Sequence, residues 1–359
     1  MRIGLAYNQR PDDATWRSGA DGRSSPESSE PIDQYVEWDD PETVEAVANA
    51  LRAFGDVVML EAVNGFPGRL ASSGIDLLFN MAEGVNGPNR ESHVPAIAEF
   101  LDIPYLGSDP LTLALSLHKQ RAKEVFLQHG VPTPRSLVLD TEADLEGLDR
   151  IDWYPLFLKP VWEGSSKGIA EANHVATPEA ARERAVYLLA TYRQPVLAES
   201  YLPGDEYTAA VLGNDGDSRV LPLIRYKFHC LPEGSLPIMG HEAKWQWDQP
   251  DTEFDVLECP ARIPDELYSD IAAAALAAYR ALGCRDWSRV DLRLDASGNP
   301  QVLEVNPLPG IMPDPSAHSC FPTAAAVSGM SYDELIQEVT RVAWRRLTGR
   351  ELEVTCASR

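Results

Sequence analysis

The chain has 359 residues, 44% of them hydrophobic and 24% charged, which is enough for a substantial core and for roughly two or three domains. Asp and Glu (55) outnumber Lys and Arg (31), giving a formal net charge of -24 that repels nucleic acid and anionic lipid, so neither a nucleic-acid nor a membrane partner is expected. Five scattered cysteines without a CxxC pair fit reduced thiols, and no apolar run approaches the ~20 residues of a membrane span, so a cytoplasmic protein is expected.

In chain order, "RIGLAYN" reads as a buried strand, and a long polar stretch follows it. Asp40-Pro41 is a helix start, an N-cap followed by proline at the first helical position, and "ETVEAVANALRAFG" continues at helical spacing to Gly55. "DVVML" and "DLLFNMAEG" supply two more strands, so a small parallel α/β domain is predicted over 1–108. Asp109-Pro110 opens a further helical stretch and "HKQRAKEVFLQHG" another, before the strand "YPLFLKP", the polar loop "VWEGSSKGI" and a helix launched by Thr177-Pro178. "VLAESYLPGDEYTAAVLG" is two strands broken at Pro203-Gly204, and 231–255 is irregular, a length that marks a functional or disordered loop. Helices follow in "PDELYSDIAAAALAAYRALG" and, with Ser331 and Glu334 at capping-box spacing, "SYDELIQEVTRVAWRRL".

Between those helices lies "RVDLRLDASGNPQVLEVNPLPG". Strand side chains alternate faces, so Arg289, Asp291 and Arg293 share one face and Glu304 and Asn306 share another. "DASGN" is turn chemistry, which pairs the two strands antiparallel and brings two carboxylates and an amide oxygen beside a guanidinium. For a lone hairpin the plainer reading is a solvated face with a cross-strand ion pair. Here the polar pair runs into the rigid turn "NPLPG", and hard oxygen ligands without His or Cys suit Mg²⁺ bridging carboxylates to phosphates. Lys119 and Lys159 sit in apolar settings where each should face an anion, and "EGSSK" is a small-residue loop able to cover phosphates. Glu199 and Glu206 flank "SYLPGD" like a linker against an adenine and a ribose. His241 and His318 have no second ligand at metal spacing and read as loop histidines.

Taken in order along nearly the whole chain, these motifs resemble the D-alanine–D-alanine ligase branch of the ATP-grasp superfamily: "DIPYLGS", "SLHKQRAK", "GVPTP", "LKPVWEGSSKGI", "ESYLPGDEYT", "EAKW", "RVDLRLD" and "LEVNPLPG". The resemblance implies an α/β (α+β) ATP-grasp fold of three domains, 1–108, 109–199 and 200–359, with ATP between the central and C-terminal ones. It implies that Lys119, Lys159, Glu163, Ser165 and Ser166 meet the ATP phosphates or their lid. Glu199 and Leu202 would meet the adenine, and Glu206 the ribose. Lys244 would reach in from the mobile loop, and Ser165 and Lys244 would act in catalysis with Arg289 and the Gly310 amide, the latter two as oxyanion site. Asp291, Glu304 and Asn306 would bind two Mg²⁺, with Mn²⁺ as a substitute, and Ser319 would hold the second substrate's carboxylate. The chemistry implied is γ-phosphate transfer to a carboxylate followed by amine attack on the acyl-phosphate, in a homodimer acting on an acid and an amino acid.

Several positions depart from the family. Its amino-terminal signature is missing, leaving Glu37 as a substitute grip on the first substrate's ammonium. Glu83 stands at a histidine position, Trp245 replaces the mobile-loop tyrosine, and Ser319 is placed only by its "HSCFP" context. Glu83 and Trp245 fall where substrate should sit, so altered specificity is expected. The alternatives are a genuine D-alanine–D-alanine ligase, a mycosporine-type amino-acid ligase whose pattern "FNMAEG…RES" also resembles, and a non-catalytic ATP-binding regulator.

Overall fold

A computed structural model describes residues 1–11, 37–232, 234–240, 256–317 and 319–354. Three sheets organise them. The first is parallel, with β1 (Arg2–Tyr7) central between β2 (Asp56–Glu61) and β3 (Leu77–Asn80). β1 and β3 are near-continuous apolar runs because both their faces are covered, while β2 at the edge leaves Met59 exposed. α1 (Pro41–Leu51), α2 (Phe66–Ser72) and α3 (His93–Phe100) lie between and after the strands. Asp40 caps α1 as its sequence predicts, accepting the Thr43 amide at 2.7 Å.

Two helices, α4 (Pro110–Leu117) and α5 (Lys119–Gln128), lead to the second sheet. This antiparallel sheet has the order β4 (Ser136–Leu139), β7 (Val196–Ser200), β5 (Leu156–Pro160), β6 (His174–Val175), and is backed by α6 (Pro178–Tyr192). The third sheet runs β11 (Leu257–Glu258), β10 (Ile224–Tyr226), β8 (Glu206–Leu212), β12 (Trp287–Leu294), β13 (Pro300–Asn306), with the short β9 (Arg219–Val220) on β8. α7 (Asp265–Leu282), α8 (Cys320–Val327) and α9 (Tyr332–Thr348) complete the described α-helices. Sequence reading passes over β4 and α8, which are short and open without a proline signal. The capping box of Ser331 and Glu334 on α9 forms as expected.

One apolar cluster draws on both ends of the chain: Ile3, Val47 and Phe79 pack with Trp287, Phe321 and Val339. Trp287 meets Phe79 and Phe321 edge-on at 5.7 and 5.6 Å. Beneath it the fully buried Asp286 accepts the Gly107 amide at 2.8 Å and two bonds from Arg346 at 2.9 and 2.7 Å. The first sheet is thereby fixed against the third. Cys230, Cys259, Cys284 and Cys320 form no disulfide. Among the described residues no helix is long and apolar enough to cross a membrane.

Candidate active site

The hairpin of β12 and β13 pairs antiparallel, with Arg289 opposite Asn306 and Asp291 opposite Glu304, and a bulge follows Asp291. The extra residue is Leu303 of β13, so β12 keeps its alternation, and Arg293, on the face of Arg289 and Asp291, joins Glu206 at 3.0 Å. The polar face is not the solvated one of a lone hairpin, since the Arg289, Asp291 and Glu304 side chains are only 21%, 13% and 24% exposed. The ion pair also lies along one strand rather than across two: Arg289 Nε and Nη2 reach Asp291 at 3.1 and 2.9 Å. Asp291 further accepts Thr208 Oγ1 at 2.8 Å and Asn306 Nδ2 at 3.1 Å.

Lys119 closes on this group from α5. Its Nζ lies 3.0 Å from Glu304 and donates to the Glu163 carbonyl at 2.6 Å. Burial pushes the Glu304 carboxyl up, but Lys119, Lys159 and Arg289 outweigh it and hold it far below the usual range. Two carboxylates and one amide oxygen, with no soft donor, form a set that fits a hard divalent cation, which takes its remaining ligands from water and phosphate. Asp291, Glu304 and Asn306 are thus brought together beside Arg289 and Lys119.

Lys159 is the penultimate residue of β5, and its Nζ meets Glu199 at 2.6 Å. The sequence places each lysine opposite an anion, and in this structure the anions are carboxylates of the chain itself. Leu202 is buried nearby in sequence, and the Glu206 carboxyl is raised by burial against the pull of Arg293. The loop after β5 carries Ser165 and Ser166 at φ +49° and +61°, a left-handed pair that costs about 1–2 kcal/mol per residue in side-chain crowding. Such strain persists only where surroundings over-determine the backbone.

Those surroundings are charged. Arg90 donates to the Trp162 carbonyl at 2.9 Å and to Glu37 at 2.6 Å; Lys167 reaches Glu37 at 3.0 Å and Glu163 at 3.3 Å. Glu37 also accepts the Gly164 amide at 2.9 Å, and a Cβ on Gly164 would lie 2.7 Å from that carboxylate, so glycine permits the approach. Burial pushes Glu37 up, but Arg90 and Lys167 prevail and hold it at about 2. Ser166 donates to the Met239 carbonyl at 3.0 Å. Glu37 is therefore engaged by two cations of the chain, in contrast to the ammonium grip its position suggests.

Glu83 lies in the same region. Burial, then Glu91 and Glu37, raise its carboxyl well above the usual range, and burial pushes Glu91 up to about 7 against the pull of Arg90. At the other end of the hairpin, Ser319 is buried and donates to the Gly310 carbonyl at 2.9 Å, while Tyr226 Oη and Cys320 Sγ are 3.3 Å apart. Lys244, Trp245, His241 and His318 lie outside the described residues. Sequence reasoning misses Arg90, Lys123, Lys167 and Thr208. Only Lys123, one helical turn after Lys119, carries a signal in its spacing.

The three-sheet fold and this site define an ATP-grasp ligase. A family model described as "D-ala D-ala ligase C-terminus" matches residues 133–341. An uncharacterized protein, y4sG, of Sinorhizobium fredii is 36% identical over 82% of this chain and 83% of its own length. A D-alanine–D-alanine ligase of Bordetella petrii is 37% identical over 76% of this chain and 78% of its own. Among solved structures, a D-alanine–D-alanine ligase of Bacillus anthracis complexed with ATP superposes with a TM-score of 0.65 at 21% identity, covering 98% and 99% of the two chains. The VanG D-Ala:D-Ser ligase of Enterococcus faecalis gives 0.65 at 21%. The chain belongs to the D-alanine–D-alanine ligase family and is an ATP-dependent ligase of that type.

Proposed function

We propose that this ligase joins a carboxylate substrate other than D-alanine to the amine of an amino acid. The observation that carries the chemistry is the convergence of Arg289, Asp291, Glu304 and Asn306 with Lys119. ATP lies between the domains 109–199 and 200–359, its phosphates against Lys119, Lys159 and the loop of Glu163, Ser165 and Ser166. Its adenine meets Glu199 and Leu202, and its ribose Glu206. Asp291, Glu304 and Asn306 hold two Mg²⁺, which neutralise charge on the transferring phosphoryl group when bound. Mn²⁺ substitutes for them.

The substrate carboxylate attacks the γ-phosphorus and ADP leaves, giving an acyl-phosphate. The amine then adds to the acyl carbon, and Arg289 with the Gly310 amide stabilises the tetrahedral oxyanion before phosphate departs. Ser165 and Lys244 assist at the phosphate side, and Ser319 orients the amino acid's carboxylate. Glu83 and Trp245 shape the substrate pocket. The non-D-alanine reading is supported by Glu37, whose carboxylate already serves Arg90 and Lys167. Domain 1–108 joins two copies as a homodimer.

A second reading, a D-alanine–D-alanine ligase with a rebuilt first subsite, is favoured by relatives of that name at 36–39% identity. Phosphate release from Mg·ATP across D- and L-amino acids and small acids, singly and in pairs, separates the two. Turnover with D-alanine alone establishes the second reading; turnover only with an amino acid plus a different acid establishes the first.

A further inference from the structure

Two lysines project from α5 one turn apart. Lys119 goes to Glu304 and the Glu163 carbonyl, while Lys123 is fully buried and goes elsewhere. Its Nζ donates to Thr133 Oγ1 at 2.8 Å and lies 2.5 Å from Glu199. Thr133 in turn donates to the Val302 carbonyl at 2.8 Å, so the hydroxyl is oriented to accept from the ammonium. Glu199 is 3% exposed and takes Lys159 on its other oxygen at 2.6 Å. One buried carboxylate therefore carries two ammonium groups, and Glu304, the next carboxylate, is in contact with Lys119. These three ammonium groups face two carboxylates, Glu199 and Glu304, and a phosphate is a further counter-charge that Lys159 can take.

The two lysines are not equivalent. Lys123 has no solvent exposure and is held by groups from two other segments, Thr133 in the turn before β4 and Glu199 on β7. Lys159 sits near the end of β5, where the phosphate loop begins. Were it the sole counter-ion of Glu199, each contact it made with a phosphate would strand a buried carboxylate. Burial pushes the Lys123 ammonium down to about 8 despite Glu199, so it stays charged at neutral pH.

We propose that Lys123 is a positioning residue for nucleotide binding, the fixed counter-ion of Glu199 that frees Lys159 to turn toward the phosphates of ATP. This rests on the nucleotide roles proposed above for Lys159 and Glu199. The experiment is calorimetric titration of the full chain with Mg·ATP and separately with adenosine, which has no phosphate to recruit Lys159. The readout is the ratio of the adenosine Kd to the ATP Kd.

Lys123→Gln is expected to lower that ratio by at least about 10-fold with adenosine affinity nearly unchanged, because Glu199 then retains Lys159. Adding Glu199→Gln to it releases Lys159 and restores the ratio to within about 2-fold of the starting protein's. Thr133→Val, a milder change that keeps the ammonium but removes its hydroxyl partner, lowers the ratio by about 3-fold and serves if Lys123→Gln does not fold. A ratio unmoved in both Lys123→Gln and Thr133→Val, or equal losses for ATP and adenosine, overturns the proposal. Failure of the unaltered protein to bind ATP more tightly than adenosine overturns the nucleotide reading itself, and this inference with it.

Discussion

Replacing Glu37 by glutamine keeps the shape and an acceptor for the Gly164 amide but removes the charge that faces Arg90 and Lys167. Those two side chains are 7% and 10% exposed. Without Glu37 the carboxylate left within ion-pair distance among the described residues is Glu163, at 3.6 and 3.3 Å, with Arg90 keeping the Trp162 carbonyl. The fall of the Glu37 carboxyl from its ordinary 4.5 to about 2 corresponds to about 3 kcal/mol of preference for the charged form in the fold. Unfolding in urea at pH 7 should therefore show Glu37→Gln less stable by about 3 kcal/mol. At about 2.1 cal/mol/K per residue, that lowers Tm by ~4 °C for a chain of this length. The sign with pH follows from the depressed value: the contribution is present above 4.5 and is lost as pH falls toward 2. The gap between the two proteins should narrow to about 2 kcal/mol at pH 3.5. Glu45→Gln, which breaks the exposed pair with Arg52, should shift stability by less than about 0.5 kcal/mol and is the control. A Glu37→Gln gap below about 1 kcal/mol at pH 7, or one that does not shrink with acid, refutes the assignment of Glu37 as a buried counter-charge.

Asp286→Ala should destabilise by about 4 kcal/mol in the same assay, since it strands Arg346 and the Gly107 amide and puts alanine at φ +67°. Asp286→Asn, which tolerates that backbone and keeps one acceptor, should lose about half as much, and equal losses would argue against the ion pair. Asn306→Ala should reduce phosphate release at least about 100-fold while calorimetry still detects ATP binding; loss of binding instead would make the residue structural. Glu91 titrates the opposite way to Glu37: its raised value, about 7, means stability is full below its ordinary 4.5 and falls as pH rises through 7. Glu91→Gln should thus gain on the unaltered protein by on the order of 3 kcal/mol between pH 4 and 8.5, and a pH-independent difference would contradict the burial of that carboxyl.

Elements with local signatures are legible in the chain alone. Asp40-Pro41, Asp109-Pro110 and Thr177-Pro178 set helix starts because an N-cap acceptor and a proline act within one turn. The β12–β13 hairpin was legible too, but its turn and alternation alone would set Asp291 opposite Leu303; the bulge in β13 brings Asp291 opposite Glu304 and Arg289 opposite Asn306. The short β4 and α8 escaped sequence reading, because their residues are set by what they pack against rather than by propensity.

The charge partners were decided by the tertiary structure alone. Nothing near Arg90 in the chain points to Glu37, 53 residues away, or to the Trp162 carbonyl, 72 away. The sequence shows that Lys119 and Lys159 need anions, since a buried ammonium is costly whatever its surroundings. Which anion each one finds depends on how three sheets meet, and that geometry gave Glu304 to Lys119 and a shared Glu199 to Lys159 and Lys123. Hydrophobic pattern and turn chemistry are read over a few neighbouring residues, whereas a buried ion pair is specified only where distant segments close on each other.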